Sequence, residues 1–570
     1  VPSPDDEEMS KGEDVTSADS FHFRSVVDPE MAAAYRAAGW WGDVTVADLV
    51  DDHARTRPDA AAFITPEHRL SWVDYRDTST RLAAALLATD LQPGERVAFL
   101  LGDGATIHVT LVANEKAGLV SVGIGARAGE LEMQHLIERT GAVALVTFDS
   151  HRGADTGELY RRLQGAGLPL RHHVVVPVFE ADPAAPIVID GKEVAADADG
   201  AAAAIAERRM GPDDLYMINS TSGTTGLPKA VMHTMNSKLY MAHQAKEVGE
   251  LTGDEVFFGG APVPFGFGTF TTHFTPLIIG APCVVSDRFT AESALELMER
   301  ERVTVLVCVS TQFKMMLASA GLESRDLSAL RVMFTGGEMI GYAAASDFED
   351  RMGAYVLNFY GSNESGMATG TRVSDTQQQR LSTGGSSLSG TEVRLYDEGV
   401  DVTASGTGQP GSRGPASCLG YYDDPEANAE LFTPDGFVLH ADIVTIDDEG
   451  YLTVIGRKTD IIIRGGKNIS AAVVEDLVAT HPGVKLAAAV AMPDPLFGER
   501  VAVYVELQPG QTLTLPELLA HLETTGTGKE NYPEHLIVMD ELPRSSGSKV
   551  AKGALREDAR LRAEAVASGS

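Results

Sequence analysis

The sequence predicts an α/β protein: a large N-terminal domain of parallel-rich sheets flanked by helices, followed by a small mobile C-terminal α+β domain. Three observations carry this reading. Short apolar runs alternate with helix-period segments from about residue 70 onward, the signature of parallel sheets covered on both faces. The pattern changes register after Gly456-Arg457-Lys458-Thr459. A chain of 570 residues is also too long for one core.

Taken in order, residues 1–22 open with VPSPDDEEMSKGED and are acidic and poor in apolar side chains, so they are expected to be a disordered tail. The large domain is assigned to 23–457. Arg96–Leu101 reads as a strand, Ala105–Gly118 as a helix, Val120–Ile124 as a strand, Glu130–Thr140 as a helix stopped by Gly141, and Ala142–Phe148 as a strand. The rhythm returns with a strand Cys283–Ser286, a helix Ala291–Arg300, a strand Val303–Val307, a helix near Thr311–Ala318 and a strand Arg331–Thr335. Residues 458–570 carry their own strands, Leu486–Met492 and Val501–Leu507, and helices, Ala471–Thr480 and Leu515–Leu522. They form the predicted small domain, with the hinge at Lys458 and Thr459.

Composition excludes several functions. The net charge is −35, which argues against binding a phosphate backbone and so against a nucleic-acid partner. No apolar run approaches the ~20 residues that span a bilayer, so no membrane partner is expected. Cys283, Cys308 and Cys418 lie far apart without CxxC spacing, which fits a reducing cytoplasm and disfavours a zinc ribbon.

The most informative segment is Ser220-Thr221-Ser222-Gly223-Thr224-Thr225-Gly226-Leu227-Pro228-Lys229. Glycines let backbone N–H groups approach phosphate oxygens, hydroxyls add donors, and the lysine adds charge. The Walker spacing GxxxxGK[ST] is absent. Read alone, such a stretch is also a flexible Ser/Gly/Thr linker.

The order SGTTGxPK resembles the phosphate loop of the adenylate-forming superfamily, which includes acyl-CoA ligases, firefly-type luciferases and adenylation domains. Further motifs follow in family order. Phe334-Thr335-Gly336-Gly337-Glu338 is similar to the segment along the adenine, and Tyr360-Gly361-Ser362-Asn363-Glu364 resembles YGxTE. His440-Ala441-Asp442 and Gly456-Arg457 resemble the ribose grip, and Ser548-Lys549-Val550 the C-terminal lysine motif. The resemblance spans roughly residues 40–560 and is closest to acyl-CoA ligases.

The resemblance implies catalytic roles for Lys549, Glu364 and Lys229, with Glu364 also the Mg²⁺ ligand and Tyr360 stacked on adenine. It implies nucleotide contacts at Ser222, Gly223, Thr224, Thr225, Gly226, Gly336, Gly337, Glu338, Tyr360, Gly361, Ser362, Asn363, Asp442 and Arg457. It also implies a path for coenzyme A along Arg464, Gly465, Gly466 and Lys467, reached when the small domain swings between steps. ATP (or a supplied acyl-AMP), Mg²⁺ and coenzyme A are the implied cofactors.

Amino-acid-activating relatives carry an aspartate near the aromatic motif. Pro262-Val263-Pro264-Phe265-Gly266-Phe267-Gly268 has none, so an uncharged medium-chain, alicyclic or aromatic acid is expected. Phe265, Gly266, Phe267, Thr311 and Met315 are the expected acyl pocket, with Phe267, Thr311 and Met315 as its apolar wall. Ala230, Asn363, Ala441, Thr459 and Ser548 depart from the family pattern. They point to a second reading, an enzyme that only forms thioesters and depends on a separate adenylating enzyme. A third reading is transfer to a carrier-protein pantetheine, and a fourth is a non-catalytic nucleotide sensor.

Overall fold

The computed structural model describes residues 29–221, 228–337, 340–457, 460–464, 467–524, 531–544 and 550–568. The acidic tail, the loop 222–227, Glu338, the hinge pair Lys458 and Thr459, Gly465, Gly466 and Lys549 lie outside them.

Two nine-stranded sheets dominate the large domain. In one, Ala144–Thr147, Arg96–Leu100, Val120–Gly123 and Leu215–Ser220 run parallel. In the other, Cys283–Val285, Phe257–Gly259, Val305–Val307, Val332–Gly336 and Tyr355–Ser362 do the same. The elements that carry the site are β1 (Leu215–Ser220), β2 (Ala230–Thr234), α1 (Met235–Val248), α2 (Ser310–Leu317), β3 (Val332–Gly336), β4 (Tyr355–Ser362), β5 (Gly366–Gly370), β6 (Gly420–Tyr421), β7 (Asp442–Ile446) and β8 (Leu452–Arg457).

One core runs through both sheets, including Val97 and Ile218 of the first, Phe257 and Phe334 of the second, and Leu239, Met241 and Ala242 of α1. That position explains α1. Capped by Thr234, whose hydroxyl accepts from the Ser237 amide, it buries residues all round its circumference, as a helix held between layers must.

A smaller antiparallel sheet follows, in which β7 and β8 pair so that Asp442 stands opposite Arg457. The C-terminal residues build a separate five-stranded sheet around Val484–Asp494 and Gly498–Leu507, with its own apolar clusters centred on Val474, Val503 and Leu518 and on Tyr504 and Leu555. The fold is thus the α/β architecture expected, with a large domain and a smaller C-terminal one. Element ends match the sequence reading closely: Arg96–Leu100 and Glu130–Thr140 are found as strand and helix. Among the described residues no helix is long and apolar enough to cross a membrane.

Candidate active site

The second sheet ends in the turn that presents Glu364. β4 pairs with β5 antiparallel, with Tyr360 opposite Thr369 and an irregularity just after Tyr360. The Ser362 hydroxyl accepts from the amides of Glu364 (3.2 Å) and Ser365 (3.2 Å), and the Ser365 hydroxyl accepts from the Ser362 amide (2.9 Å). This side-chain-closed turn fixes Glu364 at the sheet end. Gly361 must be glycine, because a side chain there would run into the carbonyl of Gly366.

Glu364 is held from a second sheet. The Tyr421 hydroxyl on β6 donates to its Oε1 at 2.8 Å, and the Cys418 amide donates to its backbone carbonyl at 2.7 Å. Burial first, then the Glu364 charge, push the Tyr421 phenol well above its ordinary value, so it stays a donor. The Lys229 ammonium sits 4.6 Å from the centre of the Tyr421 ring, a cation–π contact that links the end of the phosphate-loop motif to Glu364. The Lys229 amide also donates to the Thr221 hydroxyl at 3.2 Å. The sequence does not reveal Tyr421, because one tyrosine beside Tyr422 in GYYDD carries no distinctive spacing.

On the other side of β4, the Tyr360 hydroxyl donates to Asp442 Oδ2 at 2.9 Å, and the Tyr360 ring lies 5.2 Å from that of His440 with planes 22° apart. His440 is buried, its Nε2 2.9 Å from the Ser412 hydroxyl, and burial lowers its pKa. Gly336 closes β3 where a side chain would press on the Phe359 carbonyl, and Gly337 adopts φ of 79°. Tyr360, Gly361, Ser362, Asn363, Glu364, Gly336, Gly337 and Asp442 therefore stand at neighbouring strand ends, as does the backbone of Arg457. Ser222, Gly223, Thr224, Thr225, Gly226, Glu338 and Lys549 lie outside the described residues.

The expected acyl side lies along the segment from Val263. Phe265, Gly266 and Phe267 are half-buried, and the Phe265 ring packs close over Gly125, leaving no room for a side chain there. Phe267 meets Phe270 edge-on at 5.6 Å, and Phe270 leads to Phe359 and Phe334.

One expectation needs correction. Thr311 and Met315 do not form an enclosed wall: both are exposed, Met315 by 45%. The phase of α2 turns Phe313 and Met316 into the core instead. Within the small domain the Arg464 guanidinium donates to Glu534 at 2.5 Å. Lys467 contributes backbone to the strand Lys467–Ser470.

Comparison with known proteins shows the family. Residues 50–422 match the family model described as AMP-binding enzyme, and 473–549 match AMP-binding enzyme C-terminal domain. The medium-chain fatty-acid–CoA ligase of Escherichia coli (strain K12) is 33% identical over 538 residues, covering 93% of both chains. The salicyl-AMP ligase / salicyl-S-ArCP synthetase of Mycobacterium tuberculosis is 30% identical over 541 residues, covering 92% of this chain and 93% of that one. The ATP-bound MatB structure from Rhodopseudomonas palustris superposes with a TM-score of 0.77 at 25% identity, covering 91% of this chain and 100% of that one. The chain belongs to the AMP-binding, adenylate-forming enzyme family and is an AMP-forming ligase.

Proposed function

We propose that the protein activates an uncharged medium-chain, alicyclic or aromatic carboxylic acid as its acyl-adenylate and then transfers the acyl group to coenzyme A. The observation that carries this is the convergence of Glu364, held by Tyr421 under the Lys229 ammonium, with the Tyr360–Asp442 pair on the same strand end. The full-length similarity to a medium-chain fatty-acid–CoA ligase supports the acid and the thiol acceptor.

Adenylation joins two anions: a carboxylate oxygen attacks the α-phosphorus of ATP and pyrophosphate leaves. Tyr360, Asp442 and Arg457 would hold the adenosine, Gly336 and Gly337 let the backbone lie close to it, and the loop 222–227 would hold the departing phosphates. Lys549 would bring its ammonium to the developing charge. The donor set also suits Mg²⁺. One carboxylate is presented beside a phosphate-loop motif, and no group of three or more His, Cys, Asp or Glu stands together among the described residues. Mg²⁺ typically takes one or two carboxylates plus substrate phosphates; bound at Glu364 it would neutralise charge on the phosphate. In the second step the thiol of coenzyme A loses its proton, its sulfur attacks the acyl carbonyl, and AMP leaves.

The departures from the family pattern at Ala230 and Asn363 leave the β1–β2 pairing and the Glu364 turn intact. Ala230 is a buried strand residue opposite Ser220, and Asn363 fills the space beside Gly266. This favours a complete ligase over one that only forms thioesters. Transfer to a carrier-protein pantetheine is the second reading, supported by the name of the M. tuberculosis relative.

Lys549→Ala tests the two-step assignment. Acyl-dependent pyrophosphate release should fall about 10²–10³-fold, while thioester formation from supplied acyl-adenylate stays near native. Gly466→Leu should do the reverse. Equal damage to both steps from either change would overturn the assignment.

A further inference from the structure

Four polar side chains converge beneath the Phe265–Gly266 turn. Across β1, β2 and β6, Asn219, Val231 and Tyr421 stand in register, and His233 lies two residues beyond Val231 on the same face. Lys238 follows on the first turns of α1. Asn219, His233 and Lys238 are fully buried. Asn363 points in from the Glu364 turn, its Oδ1 2.7 Å from where a side chain at Gly266 would begin. The Asn219 amide donates to the Pro264 carbonyl at 2.8 Å, which ties the cluster to the acyl-side segment.

What marks this cluster is its hydrogen bonding. The Asn219 Oδ1 and the Lys238 Nζ are shielded from solvent and have no hydrogen-bond partner. The His233 ring and the Asn363 amide are equally shielded, and a contact between them favours the protonated ring. Folded proteins pair nearly all buried polar groups, and an ammonium without a partner is among the costlier exceptions. Burial pulls the Lys238 pKa down to about 7, opposed by the neighbouring Cys418 and Glu364. A core position on a helix between two sheets would be more stable as leucine or methionine. The retained cluster offers donors from Lys238 and Asn363, and a ring able to donate or accept, at the edge of the acyl side.

We propose that Asn219, His233, Lys238 and Asn363 form a polar subsite beneath the Phe265–Gly266 turn that receives a hydroxyl or keto oxygen carried by the acyl group, so that the enzyme selects oxygenated acids. The subsite rests on the ligase reading above and narrows its substrate class. The acid is uncharged apart from its reacting carboxylate, but not wholly apolar. A site built to hydrogen-bond such an oxygen discriminates strongly against the analogue without it, because its own groups are then left unpaired.

The test uses pairs of aromatic and alicyclic acids that differ only in one hydroxyl or keto oxygen. For each pair, kcat/KM for acyl-dependent pyrophosphate release is compared in the native enzyme, Lys238→Met and His233→Leu. The native enzyme should favour the oxygenated member of at least one pair by about a hundredfold or more. Both variants should bring that ratio to within about threefold, with the deoxy acid's kcat/KM retained. The same pairs presented as non-hydrolysable acyl-sulfamoyl adenosines, read by calorimetry, decide the matter without turnover. Equal Kd for both members of every pair overturns the subsite and leaves the ligase reading standing. Absence of binding by every analogue overturns the ligase reading, and the subsite with it. A parallel loss for both members in the variants means a structural role and also overturns the subsite.

Discussion

The two faces of the β4 turn solve the same problem in opposite ways. On the nucleotide face the named polar groups have partners: Tyr360 binds Asp442, Tyr421 binds Glu364, and Lys229 lies on the Tyr421 ring. On the proposed acyl face, Asn219, His233 and Lys238 are fully buried and Asn363 half-buried, with most of their bonding capacity unused. Under the proposed assignment, the first arrangement would preorganise groups for the nucleotide, and the second would leave bonding capacity for the acyl group. Electrostatic preorganisation lowers the reorganisation needed during reaction, whereas unmet bonding capacity yields discrimination.

The largest expected effect breaks the nucleotide face. Glu364→Gln keeps the size of the side chain and removes its charge, so acyl-dependent pyrophosphate release should drop about 10²–10³-fold. The dependence on Mg²⁺ concentration should move to higher values, measured by titrating the metal and by calorimetry of Mg²⁺–ATP binding. An unchanged Mg²⁺ dependence would remove Glu364 from its assigned role.

A smaller effect sharpens the acyl face through stability. The Lys238 pKa falls from 10.5 in an open chain to about 7 in the fold, with Glu364, Cys418 and His233 its charged or titratable neighbours. Between those values the unfolded chain binds the extra proton, so the cost of burial is greatest at pH 7 and below and fades as pH rises toward 10.5. Lys238→Met should therefore stabilise the protein by up to a few kcal/mol at about pH 6–7, with the gain shrinking by about pH 9–10, as read by denaturant melts. A gain that does not vary with pH would mean the ammonium already has a partner in the free protein.

The smallest effect tests the tether at the proposed ribose grip. Tyr360→Phe removes one hydrogen bond to Asp442, worth about 1 kcal/mol. The KM for ATP should rise roughly fivefold with kcat nearly unchanged. A collapse in kcat would assign the hydroxyl a role in the chemistry.

The alternation of strands and helices is legible because burial on both faces of a parallel sheet leaves apolar runs of characteristic length. The strand Arg96–Leu100 and the helix Ala291–Arg300 are the clearest cases. The motif residues are legible through their order, which brings Glu364, Asp442 and Lys229 into one site although long stretches of chain separate them. Direction and depth are not legible. The segment of α2 is too short to fix its helical phase, so the sequence alone assigns Thr311 and Met315 to a wall, whereas the helix turns Phe313 and Met316 inward. Helix α1 carries its exposed polar stripe, His243, Lys246 and Glu247, in its second half, while Asn236, Ser237 and Lys238 stand among apolar residues in its first turns. Only packing between two layers reveals that Lys238 is buried. Tyr421 is equally hidden, because its role arises from register across β2 and β6, bringing it to Glu364 from 57 positions away.

The most direct test of the ligase reading compares two routes to one product. Acyl-CoA is quantified by mass from free acid, ATP, Mg²⁺ and coenzyme A, and separately from the matching synthetic acyl-adenylate and coenzyme A. Product by both routes, at rates within about tenfold, is the predicted result, a barrier difference of about 1.4 kcal/mol at most. Product from the adenylate alone would contradict it and make the protein a thioester-forming enzyme that depends on a partner for activation.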